Sequence, residues 1–168
     1  MQKHINYAAI ILFFFMVNMA LAQNKYDRAT RDYSFQGIKI GMTEAQVNAN
    51  HKDVRVFSTD RSGRNPLGDG VKSLEFELDD ATQISLFTYK GKVFRMEISL
   101  TGVYINEHGG EIKFVNELSK IFGDPTESDI VGTIWLSSYA SRKITYFWGA
   151  HSLWIKDPHS KGIKAMGE

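Results

Sequence analysis

Few residues of this chain are equipped for covalent or acid–base chemistry. Four of its five histidines, His51, His108, His151 and His159, lie beyond the first 22 residues. Only Glu107-His108-Gly109-Gly110-Glu111 sets two carboxylates near an imidazole. Such a trio could bind a metal or run acid–base chemistry, with His108 as the base of a hydrolase. It lacks the His-Glu-x-x-His spacing that puts two imidazoles on one helical face. Its place at a Gly-Gly break before a helix explains it otherwise. Glu111 complements the helix N-terminus, while Glu107 and His108 occupy loop surface. No Gly-x-Ser-x-Gly nucleophile elbow occurs. Asp60-Arg61-Ser62-Gly63-Arg64-Asn65 only faintly outlines a calcium loop, since Arg61 and Arg64 would stand beside a dication. Cysteine is absent, which removes thiol catalysis, Cys-ligated zinc, disulfide staples and a lipid-modified Cys. The chain therefore reads as non-enzymatic, with no metal and no cofactor.

Recognition chemistry is better represented. Trp135, Tyr139, Tyr146, Phe147, Trp148 and Trp154 fall close together. Successive side chains of a strand point to opposite faces. If Ile134 and Leu136 face a helical layer, Trp135 faces away; if Leu153 and Ile155 do, so does Trp154. Tyr146 and Trp148 oppose Phe147, and parity leaves open which set points inward. Large aromatics in a polar rim are typical of binding hot spots. The partner-binding set expected here is Trp135, Trp154, Tyr146 and Trp148, with Arg61 and Arg64 on the Thr59–Gly70 loop. Two plainer readings stand beside it: burial of this face by the other half of the chain, and cross-strand aromatic pairing. The loop itself is as often a mobile connection as a functional one.

The elements that would position these residues follow from periodicity. Residues 23–34 are polar and unpatterned, a flexible leader. Thr43 and Gln46 form a capping box, with Met42 and Val47 as a hydrophobic staple, and Gly41 supplies a sharp turn. The helix they start runs from Glu44 to about His51. Strands are expected at Val54–Ser58, around Leu74, Phe76 and Leu78, at Gln83–Tyr89 and at Lys92–Leu100. Lys90-Gly91 forms a two-residue hairpin turn. In the last of these strands Phe94, Met96, Ile98 and Leu100 take the dry face, Arg95 and Glu97 the wet one. Phe114, Val115, Leu118, Ile121 and Phe122 mark a second helix, closed by Gly123 and Pro125. Three further strands span Val131–Ser137, Lys143–Gly149 and Ser152–Lys156, followed by a polar, frayed tail (157–168).

A helix followed by an antiparallel meander thus occurs twice, at 35–100 and at 111–156. Neither meander buries its dry face without a helical layer across it. The expected fold is α+β: two tandem helix-plus-meander units with the helices on one face of the sheet.

The first residues speak of location. Lys3 precedes an apolar block, Ala8–Val17, and Ala20 and Ala22 then stand ahead of Gln23. This is the layout of a secretory signal peptide cleaved after Ala22, and the block is shorter than the ~20 residues of a spanning helix. The mature protein is expected to be periplasmic or secreted. The whole chain carries a formal net charge of +1; loss of Lys3 makes the mature chain formally neutral. Without a basic face, nucleic-acid binding by counterion release is excluded.

Phe35-x-Gly37-Ile38-x-x-Gly41-Met42-Thr43-x-x-Gln46-Val47 resembles the opening of small exported proteins of the β-lactamase inhibitor protein and SmpA/OmlA outer-membrane assembly type. Those families place such a helix start before a small antiparallel sheet, often with a Gly-x-Pro exit, here Gly123-Asp124-Pro125. The chain departs from them in lacking a Cys after the leader and in ending its first helix with His51-Lys52-Asp53. The resemblance implies a tandem helix-and-sheet scaffold. The function expected from the aromatic face is binding of a protein partner in or beyond the cell envelope, and the resemblance suggests two versions of it, inhibition of an enzyme and support of assembly. A small-ligand or glycan-binding exported protein, stacking its ligand on the same aromatics, is the alternative.

Overall fold

The computed structural model describes residues 25–51, 53–57, 66–78, 82–137 and 141–168. The leader (1–22), most of the Thr59–Gly70 loop with Arg61 and Arg64, and Tyr139 lie outside the described residues. Among the described residues no helix is long and apolar enough to cross a membrane.

The helix starts are where side chains supply partners for orphan backbone amides. Residues 25–32 form α1. In α2 (Glu44–Asn50) the Thr43 hydroxyl accepts the Gln46 amide at 3.2 Å, and Gln46 Oε1 accepts the Thr43 amide at 2.9 Å. This is the reciprocal capping box. Thr101 caps α3 (Gly102–Glu107) in one direction only, its hydroxyl accepting the Tyr104 amide at 3.1 Å. The longest helix among the described residues, α4 (Glu111–Phe122), ends at Gly123, whose φ of 86° serves the helix exit. A last short helix, α5 (Lys161–Ala165), is capped by Ser160.

The strands are β1 (Arg55–Phe57), β2 (Val71–Glu77), β3 (Gln83–Tyr89), β4 (Lys92–Ser99), β5 (Glu127–Ser128), β6 (Gly132–Leu136), β7 (Lys143–Phe147) and β8 (Ser152–Lys156). They form one eight-stranded antiparallel sheet in the order β1-β2-β3-β4-β8-β7-β6-β5. Each half is a meander, and the two meet through β4 and β8 at the centre. Lys90 and Gly91 both have positive φ, 50° and 76°, as the turn twist of a two-residue hairpin requires. The α+β class is as expected, with the sheet dominating small helices.

One core serves both halves. Val47 of α2, Ile105 of α3, and Phe114, Val115, Leu118 and Phe122 of α4 pack on the inner face with Leu74, Ile84, Leu86, Met96, Ile98, Ile144, Leu153 and Ile155. The structure corrects three expectations. Residues 25–32 are helical rather than a flexible leader. Tyr26, Thr30 and Tyr33 follow an i, i+4, i+7 stripe, which polar lettering conceals. Thr30 is buried and Tyr33 meets Phe122 edge-on at 4.9 Å; burial pushes its hydroxyl up to about 12.

The second correction concerns β4. Phe87 pairs with Arg95 and Thr88 with Val93, leaving Phe94 as the extra residue of a bulge. Phe94 therefore leaves the dry face of Met96 and Ile98 and joins a small second core with Val71 and Ile163. The third concerns 157–168, where the expected frayed tail instead places α5 on the outer face. Hence the helices do not all lie on one side. A Cβ at Gly162 would come within 2.5 Å of the Phe94 ring. Gly→Ala in a helix ordinarily gains up to ~1 kcal/mol. Gly162→Ala is instead expected to cost about 1–3 kcal/mol through overpacking, read as faster hydrogen exchange at the Ile163 amide.

Candidate functional site

The aromatic set divides between the two faces. Trp135 is 1% exposed, its indole N–H donating to the Gly123 carbonyl at 3.1 Å and its ring edge-on to Phe122 at 5.8 Å. The outward orientation expected for Trp135 is thus corrected. Parity holds along β6, but its phase is reversed. Ile134 and Leu136 face outward, and the large indole fills the space beneath the exit of α4. Tyr146 also points inward and is fully buried; its hydroxyl donates to Glu111 at 2.9 Å. Burial first, then that hydrogen bond and the carboxylate's charge, raise its pKa. Trp148 is half-buried at the β7–β8 turn, edge-on to Tyr146 at 5.7 Å. Neither Trp135 nor Tyr146 offers surface to a partner.

Trp154 faces outward, as expected, and is half-buried. Its N–H donates to Ser152 Oγ at 2.9 Å and its ring meets Phe147 at 4.7 Å. On its other side lies Arg95, 4.5 Å from the indole centre and 5.2 Å from that of Phe87. Arg95 was expected on a wet face, yet its side chain is 7% exposed. The guanidinium pairs with Glu97 and with Glu168, which Lys156 also holds at 2.8 Å. Burial raises the Glu97 pKa against the pull of Arg95. For Glu168 burial is outweighed by the Lys156 hydrogen bond and the charges of Arg95 and Lys156, so its pKa is lowered.

Cross-strand pairing aligns outer-face residues across the whole sheet. One row reads Glu127, Ile134, Thr145, Trp154, Glu97, Ser85, Glu75, Arg55. The neighbouring row, farther from α5, reads Gly132, Phe147, Ser152, Ser99, Gln83, Glu77. Small hydroxyl residues keep the centre of this surface low. Glu75, Glu77, Glu97 and Glu127 stand against Arg55 as the cation of those two rows. At the β1–β2 end the surface meets a cleft of about 770 Å³ lined by His51, Arg55, Glu75, Glu77 and Gln83, among other described residues. His51 stacks on Phe76 at 4.8 Å with Nε2 buried and without a hydrogen-bond partner among the described residues; burial lowers its pKa.

The histidine trio does not converge. His108 stacks on Tyr104 at 4.4 Å, with Nδ1 2.8 Å from the Tyr104 carbonyl. Glu111 Oε1 accepts from the Gly149 amide at 2.8 Å as well as from Tyr146, tying α4 to the β7–β8 turn. Glu107 is exposed. Among the described residues no group of three or more His, Asp or Glu could hold a metal ion.

Of the acidic side chains that share the outer face, Glu75, Glu77 and Glu97 stand at wet positions of expected strands, whereas Glu127 lies in β5, a two-residue strand that periodicity does not predict. Their alignment depends on register across eight strands. Phe147 was left undecided, and Arg95 carried no signal. Comparison with protein-family models, curated proteins and solved structures found no match to this chain.

Proposed function

We propose that the protein is a non-enzymatic, exported interaction module that binds a protein partner through the outer face of its sheet. The observation that carries this reading is the open pair of rows bearing Trp154, Phe147 and Ile134 beside the carboxylates of Glu75, Glu77, Glu97 and Glu127. A rigid, pleated surface with anchored aromatics and small hydroxyl residues suits a partner's projecting loop. The charge calls for lysine or arginine on that loop, paired against Glu75, Glu77 and Glu127, Glu97 being held already by Arg95. The families that the Gly41-Met42-Thr43 start resembles supply two versions, inhibition of an enzyme and support of envelope assembly.

Glu75 and Glu77 are exposed, so Glu75→Lys with Glu77→Lys leaves the core untouched. Captured from an envelope extract, the partner is expected to be held at least about tenfold more weakly by this variant, and more weakly in high salt. Unchanged melting would confirm that the surface, not the fold, was altered. Retention of the partner at wild-type affinity would contradict the proposal.

A further inference from the structure

At one end of the β4–β8 junction lies a second cleft, about 300 Å³ in volume. It opens between the turn before α2, the start of β4 and the segment leading into α5. Its charge is unbalanced: Lys92, Arg142 and Lys161 line it against the carboxylate of Asp157. The Arg142 side chain is only 14% exposed, and its distance to Asp157 is 3.6 Å, longer than a charge-assisted hydrogen bond. Its Nε is buried with no acceptor among the described residues. Burial lowers the pKa of Arg142, with the charges of Asp157 and Asp32 offsetting this only in part and Arg31 opposing them; one terminal N–H donates to the Ser141 carbonyl at 2.5 Å. Among the described residues neither Lys92 nor Lys161 has an ion-pair partner.

A largely buried cation with no carboxylate in hydrogen-bond contact is costly, and an anion held in the cleft would relieve it while drawing in both ammonium groups. The half-buried Tyr89 and the buried Phe94 form an apolar wall. The volume is at the small end of ligand pockets. We infer that this cleft binds a small organic dianion, its charged group held by Arg142, Lys92 and Lys161 and its compact apolar body against Tyr89 and Phe94. The site lies at the α5 end of the molecule, apart from the two rows of the proposed docking surface, and does not depend on the partner reading.

Because Arg142 Nε is shielded from solvent, its N–H resonance is a direct reporter in a titration followed by nuclear magnetic resonance. The probes are phenyl phosphate and phenylmalonate, with inorganic phosphate and benzyl alcohol as controls lacking ring or charge. Saturable shifts with either ring-bearing dianion are expected, and the tighter of the two tells phosphate from dicarboxylate. Lys92→Gln with Lys161→Gln, both exposed positions, is expected to weaken binding about tenfold or more. Absence of saturation below about 10 mM, equal affinity in the double variant, or an equal response to benzyl alcohol would overturn the inference. Inorganic phosphate binding as tightly would overturn the role given to Tyr89 and Phe94.

Discussion

Replacing Trp135 by alanine is expected to destabilise the protein by about 3–5 kcal/mol, the range for deleting a fully buried large aromatic. The indole sits between β6 and the exit of α4, with the Phe122 ring edge-on and the Gly123 carbonyl as its hydrogen-bond acceptor. Alanine leaves a cavity there and a buried carbonyl without its donor. Trp135→Phe keeps most of the packing and loses the N–H, so a smaller loss of about 1–2 kcal/mol is expected. Trp154→Ala, on the half-open outer face, is expected to cost less than Trp135→Ala. Urea denaturation measures all three, with an unchanged m-value showing that the unfolded state is not involved. Equal losses at positions 135 and 154 would contradict the assignment of the two indoles to opposite faces.

Arg95→Ala is expected to cost about 3–5 kcal/mol, because breaking a buried ion pair strands the remaining charge. The charge stranded is mainly Glu97, whose side chain is 23% exposed, whereas Glu168, at 36%, regains water more readily. Packing is lost as well, since the guanidinium fills the space between Phe87 and Trp154. Arg95→Lys does not restore it; an ammonium lacks the planar fork that stacks and pairs at once. Adding Glu97→Gln to Arg95→Ala removes the stranded charge and is expected to recover about 1–2 kcal/mol. A double variant no more stable than Arg95→Ala would show that packing alone carries the Arg95 contribution.

Local chemistry was the legible part of this chain. The Thr43–Gln46 box, the Lys90-Gly91 turn and the Gly123 exit each depend on a few adjacent residues, and each is found where those residues place it. The first meander was also readable, because alternation in β2 and β3 is clean, whereas the two-residue β5 that opens the second is too short to show any. Phase failed in β6, where Ile134, Trp135 and Leu136 are all apolar. Alternation there fits either face, and the space under α4 decides. The bulge at Phe94 has no Gly or Pro to announce it, so a four-residue dry stripe looked unbroken. The helix after Ser160 is too short for periodicity, and its docking depends on Gly162 lying against a displaced Phe94. The candidate face itself is a product of register: Trp154, Glu97, Ser85 and Glu75 come from four strands, and only the pairing order brings them into line.

The most direct test of the docking face is to place a photo-crosslinking side chain at Ser85, between Glu97 and Glu75 in the outer row, and in a second preparation at Asn116, exposed on α4. Both variants would be irradiated in cells that make the protein. A discrete adduct from position 85 and none from position 116 is the result predicted. An adduct from the helical side alone would place recognition on the opposite face and contradict the account.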